Sequence, residues 1–358
     1  MLPEKRKAMM LTGIREMKEG VFDMPQWGPD DVLVRIASVG ICGSDLVYYA
    51  KGGSTFAKIK YPHILGHEAA GYVVAKGENV KNLEIGDRVT MEPGVPCGDC
   101  EVCREGKYNL CPNVSFMGIP IYRPYSEGAL IEYTVRPASW VYKLPENVSM
   151  EEGAMIEPLA VGMEAVAKAR ADIKDRALIL GAGPIALCVM LSLFAHGIRE
   201  VYAVDIVSKR VEYAKKLGLP EGFTKLGDEE ISYIMEKTGG HGVDIIFDTT
   251  DYIPLVNKAM DAMAKSGRVV LIGVPHDDLI NINHRELFMR EASLITSFRY
   301  VNKYPVSIRL VESGQIPIGK IITHRFDFSD AHKAMEVCLN KEDESGIVEK
   351  AVININCD

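Results

Sequence analysis

The length and composition of the chain favour a two-domain globular protein. It has 358 residues, more than a single hydrophobic core usually serves. Hydrophobic residues make up 47% of the chain and charged residues 25%, as in soluble globular proteins. The net charge is −8 and the charges are interspersed, so no basic patch is offered to a phosphate backbone. We therefore expect no nucleic-acid partner.

One apolar stretch, residues 177–195, carries no charge and approaches the length of a membrane span. The sequence Gly181-Ala182-Gly183-Pro184 interrupts it and breaks a helix there. We therefore expect a buried strand, a tight turn and a buried helix, and no membrane partner. Four of the cysteines cluster and no secretory signal precedes them, which predicts metal ligation in a reducing, cytoplasmic setting.

The first 150 residues predict short strands separated by Gly/Pro turns, for example at residues 32–37 and 71–74. Among them lie three metal-ligating residue types, Cys42, His67 and Glu68. Each alone is more often structural, but together they offer the thiolate, imidazole and carboxylate of a catalytic zinc site with an open position. Asp45 could accept the other ring N–H of His67. Glu157 is a further candidate, and its alternative interpretation is a solvated carboxylate at a helix start.

The four clustered cysteines follow the pattern Cys97-x2-Cys100-x2-Cys103-x7-Cys111 on a turn-rich segment. Four thiolates can close around tetrahedral zinc and leave no open position, which predicts a structural site. An iron–sulfur cluster or two disulfides are the alternatives. The short segment and the lack of other redox machinery favour zinc.

From about residue 175 the pattern alternates between strands and helices. Strands are predicted at 177–180, 201–205, 243–248 and 268–273, and helices at 184–195 and 208–217. Alternation of this kind predicts βαβ units and a parallel sheet. The last 60 residues return to shorter mixed elements, so we expect the first domain to reclaim the C-terminus.

A glycine-rich turn joins the first of these strands to its helix. Residues 181–186 fit G-x-G-x-x-G/A, with Ala186 at the third position. Gly181 and Gly183 allow backbone N–H groups and the helix N-terminus to approach a pyrophosphate, and Pro184 costs no needed donor. Asp205 ends the next strand, where a carboxylate would hold a ribose 2′-OH. The alternative is an ordinary turn between a strand and a helix.

These motifs together resemble the zinc-containing medium-chain dehydrogenases, close to the sorbitol or polyol dehydrogenase branch, over essentially the whole chain. The stretch Gly66-His67-Glu68-x2-Gly71-x5-Gly77 is similar to that superfamily's zinc signature. The branch is suggested by residues 42–45, Tyr48, residues 156–159 and residues 298–300. The resemblance implies an α/β fold in which a GroES-like β catalytic domain, residues 1–157 completed by 298–358, is interrupted by a Rossmann doubly wound parallel sheet, residues 158–297. It also implies a homotetramer.

The resemblance further implies the roles of the site residues. The catalytic zinc takes three protein ligands and has a carboxylate beside its fourth position: Cys42, His67, Glu68 and, beside them, Glu157. NAD is contacted through its adenosine ribose by Asp205 and Arg210. The remaining NAD contacts come from the glycine-rich turn and two later strand ends: Gly181, Gly183, Pro184, Ile185, Gly273, Val274 and the Ser297–Phe298–Arg299 strand. The substrate cleft is lined by Tyr48, Phe116, Glu157, Arg299 and Tyr300.

Val47 departs from the pattern, because many relatives carry a histidine there at the end of a proton relay. Glu157 with water, or Ser44 with the ribose, are then the candidates for proton exit. Zinc acts as a Lewis acid on the alcohol, and NAD accepts the hydride. We therefore predict a dehydrogenase that oxidises a polyol such as sorbitol or xylitol to a ketose with NAD, using two zinc ions per chain.

Three alternatives share some of these features. An L-threonine, butanediol or sugar-phosphate dehydrogenase would use the same zinc and NAD residues. A nucleotide-binding protein without zinc chemistry would not need Cys42, His67, Glu68 and Glu157 together. A zinc-binding transcription or interaction module would rest on the four-cysteine segment alone, and it leaves the nucleotide fold and the missing basic patch unexplained.

Overall fold

The computed structural model describes residues 2–53, 58–120, 126–274, 277–344 and 346–355. The chain separates into two compact units. The first contains Met1–Glu157, Tyr304–Gly314 and Ile321–Asp358, and the second contains Pro158–Lys303 and Gln315–Lys320. Residues 298–303 and 315–320 therefore group with the second unit, whereas the sequence assigned them to the first domain.

The first unit is built mainly from short strands, because its sequence alternates β-forming runs with Gly and Pro turns. The predicted strands at residues 32–37 and 71–74 lie within longer ones. Its elements up to residue 155 are β1 (Lys5–Gly13), β2 (Glu16–Asp23), β3 (Asp31–Gly40), α1 (Gly43–Lys51), β4 (His63–Ile64), β5 (Glu68–Lys76), β6 (Arg88–Met91), β7 (Gly94–Val95), α2 (Glu101–Arg104), β8 (Ser115–Phe116), β9 (Tyr133–Pro137), β10 (Val141–Lys143) and α3 (Met150–Ala154).

The middle of the chain alternates strands and helices, as the sequence predicted. Its elements are α4 (Ile156–Lys168), β11 (Ala177–Leu180), α5 (Pro184–Ala195), β12 (Val201–Val204), α6 (Ser208–Lys216), β13 (Glu221–Phe223), α7 (Asp228–Lys237), β14 (Val243–Asp248), α8 (Ile253–Ala259), β15 (Met263–Leu271), α9 (His284–Met289) and β16 (Ser293–Thr296). The C-terminal elements are α10 (Tyr304–Glu312), β17 (Ile322–Asp327), α11 (Ala331–Asn340), β18 (Glu342–Asp343), β19 (Gly346–Ile347) and β20 (Lys350–Asn354).

The predicted elements at 177–180, 184–195 and 243–248 coincide with β11, α5 and β14. Those at 201–205 and 208–217 each run one residue too far, and the strand predicted at 268–273 starts late and ends two residues beyond β15. The expected strand over residues 297–299 is wrong, because β16 ends at Thr296 and Arg299 has a φ of 56°, which no strand residue adopts.

Strand β3 organises the main sheet of the first unit, whose order is β10-β6-β5-β3-β20-β17. β5 pairs antiparallel with β3 along its length, while β9 pairs with its first half and β20 with its second. The register places Gly40 opposite both Glu68 of β5 and Val352 of β20. One end of this sheet therefore gathers the last residue of β3 and the first residues of β5 and β20.

The second unit contains a parallel sheet with the order β13-β12-β11-β14-β15-β16. Every neighbouring pair in it is parallel. This is a doubly wound order, in which the winding reverses between β11 and β14 and ligands bind outside the carboxyl ends of the strands. Five of these six ends are followed by Gly181, Asp205, Thr249, Ile272 and Ser297.

Helix α5 is apolar on every side because it is covered on every side. Residues 186–193 of the helix are all buried. Helix α4 packs closely against it at Gly162, where an added Cβ would lie 2.7 Å from the backbone carbon of Cys188. The apolar stretch is thus a core strand and a core helix, as predicted. Among the described residues, no helix is both long and apolar enough to cross a membrane.

Candidate active site

Three predicted metal ligands converge at the end of the first unit's main sheet. One ligand atom from each of Cys42, His67 and Glu68 lies within 4.8 Å of the others. His67 is 5% exposed and Glu68 is 1% exposed, whereas Cys42 is half-buried. Cys42 directly precedes α1, and His67 directly precedes β5, which begins at Glu68. The N-terminal ends of these two elements therefore place the three ligand atoms close together.

Asp45 ties the two ligand-bearing segments together. Its Oδ2 accepts a hydrogen bond from the backbone N–H of Cys42 at 3.0 Å, and its Oδ1 accepts one from the N–H of Gly66 at 3.1 Å. The carboxyl group is completely buried. Its Oδ1 lies 3.7 Å from Nδ1 of His67, which is too long for the hydrogen bond that the sequence suggested. Asp45 therefore positions His67 through the backbone and the electrostatic field.

The electrostatics of this cluster favour a cation. Burial lowers the pKa of His67, but the negative charges of Asp45, Cys42 and Glu157 outweigh it and raise that pKa well above its usual value. One buried oxygen of the cluster, Oε2 of Glu68, has no hydrogen-bond partner. Buried polar atoms are normally satisfied. A thiolate, an imidazole and a carboxylate in a negative field therefore fit a zinc ion.

The other predicted catalytic residues of this unit lie on neighbouring elements. Glu157, in the first turn of α4, is 6% exposed, so it is a buried group and not the solvated helix-start carboxylate of the alternative interpretation. The ring of Phe116 lies 5.9 Å from that of His67. Tyr48 is buried on α1, and Ser44, on the same helix, is half-buried.

The four-cysteine segment has the geometry of a closed zinc site. The Sγ atom of Cys111 lies 3.5 Å from that of Cys97 and 3.8 Å from that of Cys100, which lies 3.4 Å from Sγ of Cys103. Sulfurs bound tetrahedrally to one zinc ion at about 2.3 Å are about 3.8 Å apart. A disulfide would need about 2.0 Å, and all four cysteines are free. A multi-iron cluster would hold its cysteines further apart. These residues therefore fit one zinc ion.

The glycine-rich turn is closed by the carboxylate predicted to hold the ribose. Oδ2 of Asp205 accepts the N–H of Ala182 at 2.9 Å, and its Oδ1 accepts the N–H of Val207 at 2.9 Å. Gly181 has a φ of 101°, and a Cβ there would lie 2.4 Å from Oγ1 of Thr249. A carboxylate has about four acceptor sites, so Asp205 retains capacity for a ligand hydroxyl.

The other predicted NAD residues lie along the same edge of the parallel sheet. A Cβ on Gly183 would lie 3.3 Å from Nη1 of Arg210, so this guanidinium reaches the glycine-rich turn. Gly183 caps α5, whose first turn contains Pro184 and Ile185. Gly273 packs against the backbone of Asp251, and Val274 beside it is 73% exposed.

The segment after β16 carries further signs of a binding site. The hydroxyl of Ser297 is buried without a hydrogen-bond partner. The guanidinium of Arg299 lies 4.5 Å from the ring centre of half-exposed Phe298. Arg299 also adopts a left-handed conformation, φ 56°, which costs a non-glycine residue about 1 kcal/mol or more. Tyr300 is buried.

Comparison with known proteins identifies the family. The model of the alcohol dehydrogenase GroES-like domain matches residues 28–146, and the model of the zinc-binding dehydrogenase domain matches residues 184–313. The sorbitol dehydrogenase of Arabidopsis thaliana is 39% identical over 331 residues, which are 91% of this chain and 89% of that protein. The chain belongs to the zinc-containing medium-chain dehydrogenases. It is an oxidoreductase of their polyol branch, and the predicted family and fold class are confirmed.

Two further comparisons agree. The L-idonate 5-dehydrogenase of Vitis vinifera is 38% identical over 340 residues, 93% of this chain and 91% of that protein. The crystal structure of an oxidoreductase of unknown specificity from Escherichia coli superimposes with a TM-score of 0.91 at 35% identity. The superposition covers 99% of this chain and 100% of the Escherichia coli chain. Membership of the family leaves no separate support for an interaction module or a non-catalytic nucleotide-binding protein.

Two buried charged residues near the site were missed from the sequence. Lys350 is 4% exposed and forms an ion pair with Glu68. Glu92 is 2% exposed and accepts a hydrogen bond from Tyr142 at 3.3 Å. The available signals were a lysine entering the apolar strand 350–354 and a glutamate directly after the apolar residues of β6. Neither signal identifies the partner of the buried charge, because Glu68 and Tyr142 are remote in sequence from Lys350 and Glu92.

Glu92 provides a test of the site's electrostatics. Burial raises its pKa from 4.5 to about 7, and the charge of Glu157 contributes, although hydrogen bonds from Tyr108 and Tyr142 oppose the shift. Between pH 4.5 and 7 the native protein therefore binds a proton that the unfolded chain has released. Stability contributed by this proton is lost as the pH rises through that window, by about 3 kcal/mol in total.

We expect Glu92→Gln to remove this loss. The thermal midpoint of the variant minus that of the unmutated protein should be larger at pH 8.5 than at pH 5. Glutamine keeps the hydrogen bonds and has no proton to release. The exposed Glu78→Gln variant is the control and should show no such difference. Parallel pH profiles for Glu92→Gln and the unmutated protein would show that Glu92 is ionised throughout.

Proposed function

We propose that this chain is a zinc- and NAD-dependent polyol dehydrogenase that oxidises a secondary alcohol to a ketone. The observation that carries the proposal is the convergence of Cys42, His67 and Glu68, with a buried oxygen of Glu68 that has no hydrogen-bond partner. Three mixed protein ligands are typical of a catalytic zinc, whereas four cysteines are typical of a structural one. The chain would therefore hold two zinc ions in separate roles.

The protein's own groups then act around the substrate. Zinc in the site would act as a Lewis acid toward the alcohol oxygen, and NAD would accept the hydride. Asp45 fixes the backbone of both ligand-bearing segments. Glu157 is a buried carboxylate in the electrostatic field of His67, and we assign it to receiving the proton that the alcohol releases. Ser44 is the second candidate for that transfer, since Val47 offers no titratable group.

The carboxyl edge of the parallel sheet is the proposed NAD site. The N–H groups of the glycine-rich turn and the N-terminus of α5 suit a pyrophosphate. Asp205 would hold the ribose 2′-OH and repel a 2′-phosphate, which favours NAD over NADP. Arg210, which reaches the same turn, weakens that repulsion without removing it.

The substrate class rests on the relatives and on the polarity of the predicted cleft residues. The two relatives above are named for sorbitol and L-idonate, both polyhydroxylated compounds. Tyr48, Glu157, Arg299 and Tyr300 would offer hydrogen bonds to neighbouring hydroxyls, with Phe116 as the apolar member. The membership of these residues in one cleft stays a prediction. A cytoplasmic homotetramer is proposed with it, on the clustered free cysteines and the family resemblance.

Metal analysis tests the two zinc roles. The unmutated enzyme should contain two zinc ions per chain. Cys42→Ala should lose one of them and all turnover while keeping its thermal midpoint, whereas Cys103→Ser should lower the midpoint, because the order of that segment depends on its metal. The control is Cys188→Ala, a buried cysteine outside both clusters, which should keep both ions. Active enzyme with one zinc ion or none would contradict the assignment.

Steady-state kinetics with both cofactors test the role of Asp205. The unmutated enzyme should prefer NAD, and Asp205→Ala should shift the ratio of kcat/KM values toward NADP by on the order of 10–100-fold, because a like-charge conflict is removed. Asp228→Ala removes an exposed carboxylate of the same unit and should leave the ratio unchanged. Equal efficiency of the unmutated enzyme with NADP would refute the NAD assignment.

A comparison of substrates tests the polyol assignment. The unmutated enzyme should favour sorbitol or xylitol over 2-butanol, and Arg299→Ala should lower kcat/KM at least about 100-fold more on the polyol, because a site built to bind hydroxyls leaves its own groups unpaired without them. Arg285→Ala, an exposed arginine on α9, is the control. Equal losses on both substrates, or a preference for 2-butanol, threonine or a sugar phosphate, would end the polyol assignment and leave the zinc and NAD assignments standing.

A further inference from the structure

We propose that Lys350 is a positioning residue that restricts Glu68 to binding the catalytic metal through a single carboxylate oxygen. The inference deepens the proposed function and rests on the zinc site formed by Cys42, His67 and Glu68. It assigns a specific task to a lysine that lies 282 residues from the carboxylate with which it pairs.

The contacts of Lys350 connect the two ligand-bearing segments. Its Nζ donates to Oε1 of Glu68 at 2.6 Å and to the backbone carbonyl of Ile41 at 2.9 Å. Ile41 directly precedes the ligand Cys42. One ammonium group therefore fixes the side chain of one ligand and the backbone beside another.

Because Lys350 is buried, its ammonium group depends on the pairing with Glu68. The lysine is 4% exposed and Glu68 is 1% exposed. The residues that follow it in β20, Ala351, Val352 and Ile353, are fully buried and apolar. A buried lysine has a large desolvation cost and is stable only when it is paired and hydrogen-bonded. Its backbone is fixed as well, because Thr323 donates a hydrogen bond to its carbonyl at 3.2 Å.

The two oxygens of Glu68 have different environments. Oε1 accepts from Lys350, whereas Oε2 is buried and has no hydrogen-bond partner. The space beside Oε2 exists because residue 40 is glycine: a Cβ there would lie 2.0 Å from Oε2. The sheet register sets this contact, since Gly40 is the β3 partner of Glu68. Lys350 and Gly40 therefore leave one oxygen of Glu68 available as a ligand atom.

This arrangement has a chemical consequence for the metal. A carboxylate oxygen that accepts a hydrogen bond from an ammonium group donates less electron density to a metal than the other oxygen, so Glu68 binds through Oε2 and does not occupy two coordination positions. The positive charge of Lys350 also reduces electron donation by Glu68, in a site that already faces the negative charges of Asp45 and Glu157. Both effects keep the metal electrophilic and keep a position open for the substrate.

The test uses cobalt(II) as the probe in the full-length protein. The visible bands of the catalytic site are defined as those that Cys42→Ala removes. In Lys350→Met, both oxygens of Glu68 become available and the coordination number rises, so these bands should weaken about twofold or more. Release of cobalt to a chelator should slow, because the site gains a donor and loses a positive charge. Lys350→Arg keeps the charge and should restore both values toward those of the unmutated protein.

Two further variants make the result decisive. Arg268→Met removes the cation from another buried carboxylate, Asp175, which it contacts at 2.8 Å in the second unit. It should lower the thermal midpoint and leave the bands and the release rate unchanged. If Lys350→Met does not fold, Lys350→Gln, which keeps a donor without the charge, should show the same changes at smaller size.

The outcomes separate the two proposals. If the unmutated protein shows no cobalt bands that depend on Cys42, the zinc site itself is wrong. If those bands are present but Lys350→Met, or Lys350→Gln in its place, leaves them unchanged, the role of Lys350 is wrong and the zinc site stands. Faster cobalt release without a change in the bands would mean that Lys350 only stabilises the site and does not control how Glu68 binds the metal. That result would also overturn the inference.

Discussion

The candidate metal site depends on placing several negative groups in a buried position without losing stability. Cys42, Asp45, Glu68 and Glu157 lie at one end of the main sheet of the first unit, and burial penalises the charges of the three carboxylates. The structure meets this cost with backbone N–H groups on Asp45 and with the ammonium group of Lys350 on Glu68. What remains uncompensated is Oε2 of Glu68, which is available to a cation.

Sheet register is the means by which the site is assembled. β3 ends at Gly40, β5 begins at Glu68 and β20 begins at Lys350, and antiparallel pairing brings these three ends together. Strand termini are suitable positions for such residues, because the ladder fixes the backbone while the side chain projects beyond the regular pairing. A shift of β20 by one residue would turn Lys350 to the opposite face and leave Glu68 without its partner.

The two sites of the molecule use the backbone in different ways. In the second unit, the first parallel strand ends in a glycine-rich turn and a helix N-terminus, and Asp205 is held by the N–H of Ala182 in that turn and by the N–H of Val207. This edge presents N–H donors, which suits phosphate groups. In the first unit, side-chain sulfur, nitrogen and oxygen atoms converge, which suits a transition metal. The segment of four cysteines shows a third arrangement, in which all ligands lie within 15 residues and need little help from the rest of the fold.

The sequence by itself determined the features that are local. The glycine-rich turn, the four-cysteine segment and the strand–helix alternation were readable because neighbouring residues decide them through turn geometry and hydrophobic period. The triad Cys42, His67 and Glu68 was readable as a set of residue types, and the resemblance to a known family brought it together. The tertiary structure alone decided the partners of the buried charges. Asp45 bonds the backbone of Cys42 and Gly66 and leaves the His67 ring without the predicted hydrogen bond, and Glu157 is buried although a helix-start carboxylate is commonly solvated. The pairing of Lys350 with Glu68 spans most of the chain, and no local pattern encodes it, because which buried charges meet depends on the register of strands that are remote in sequence.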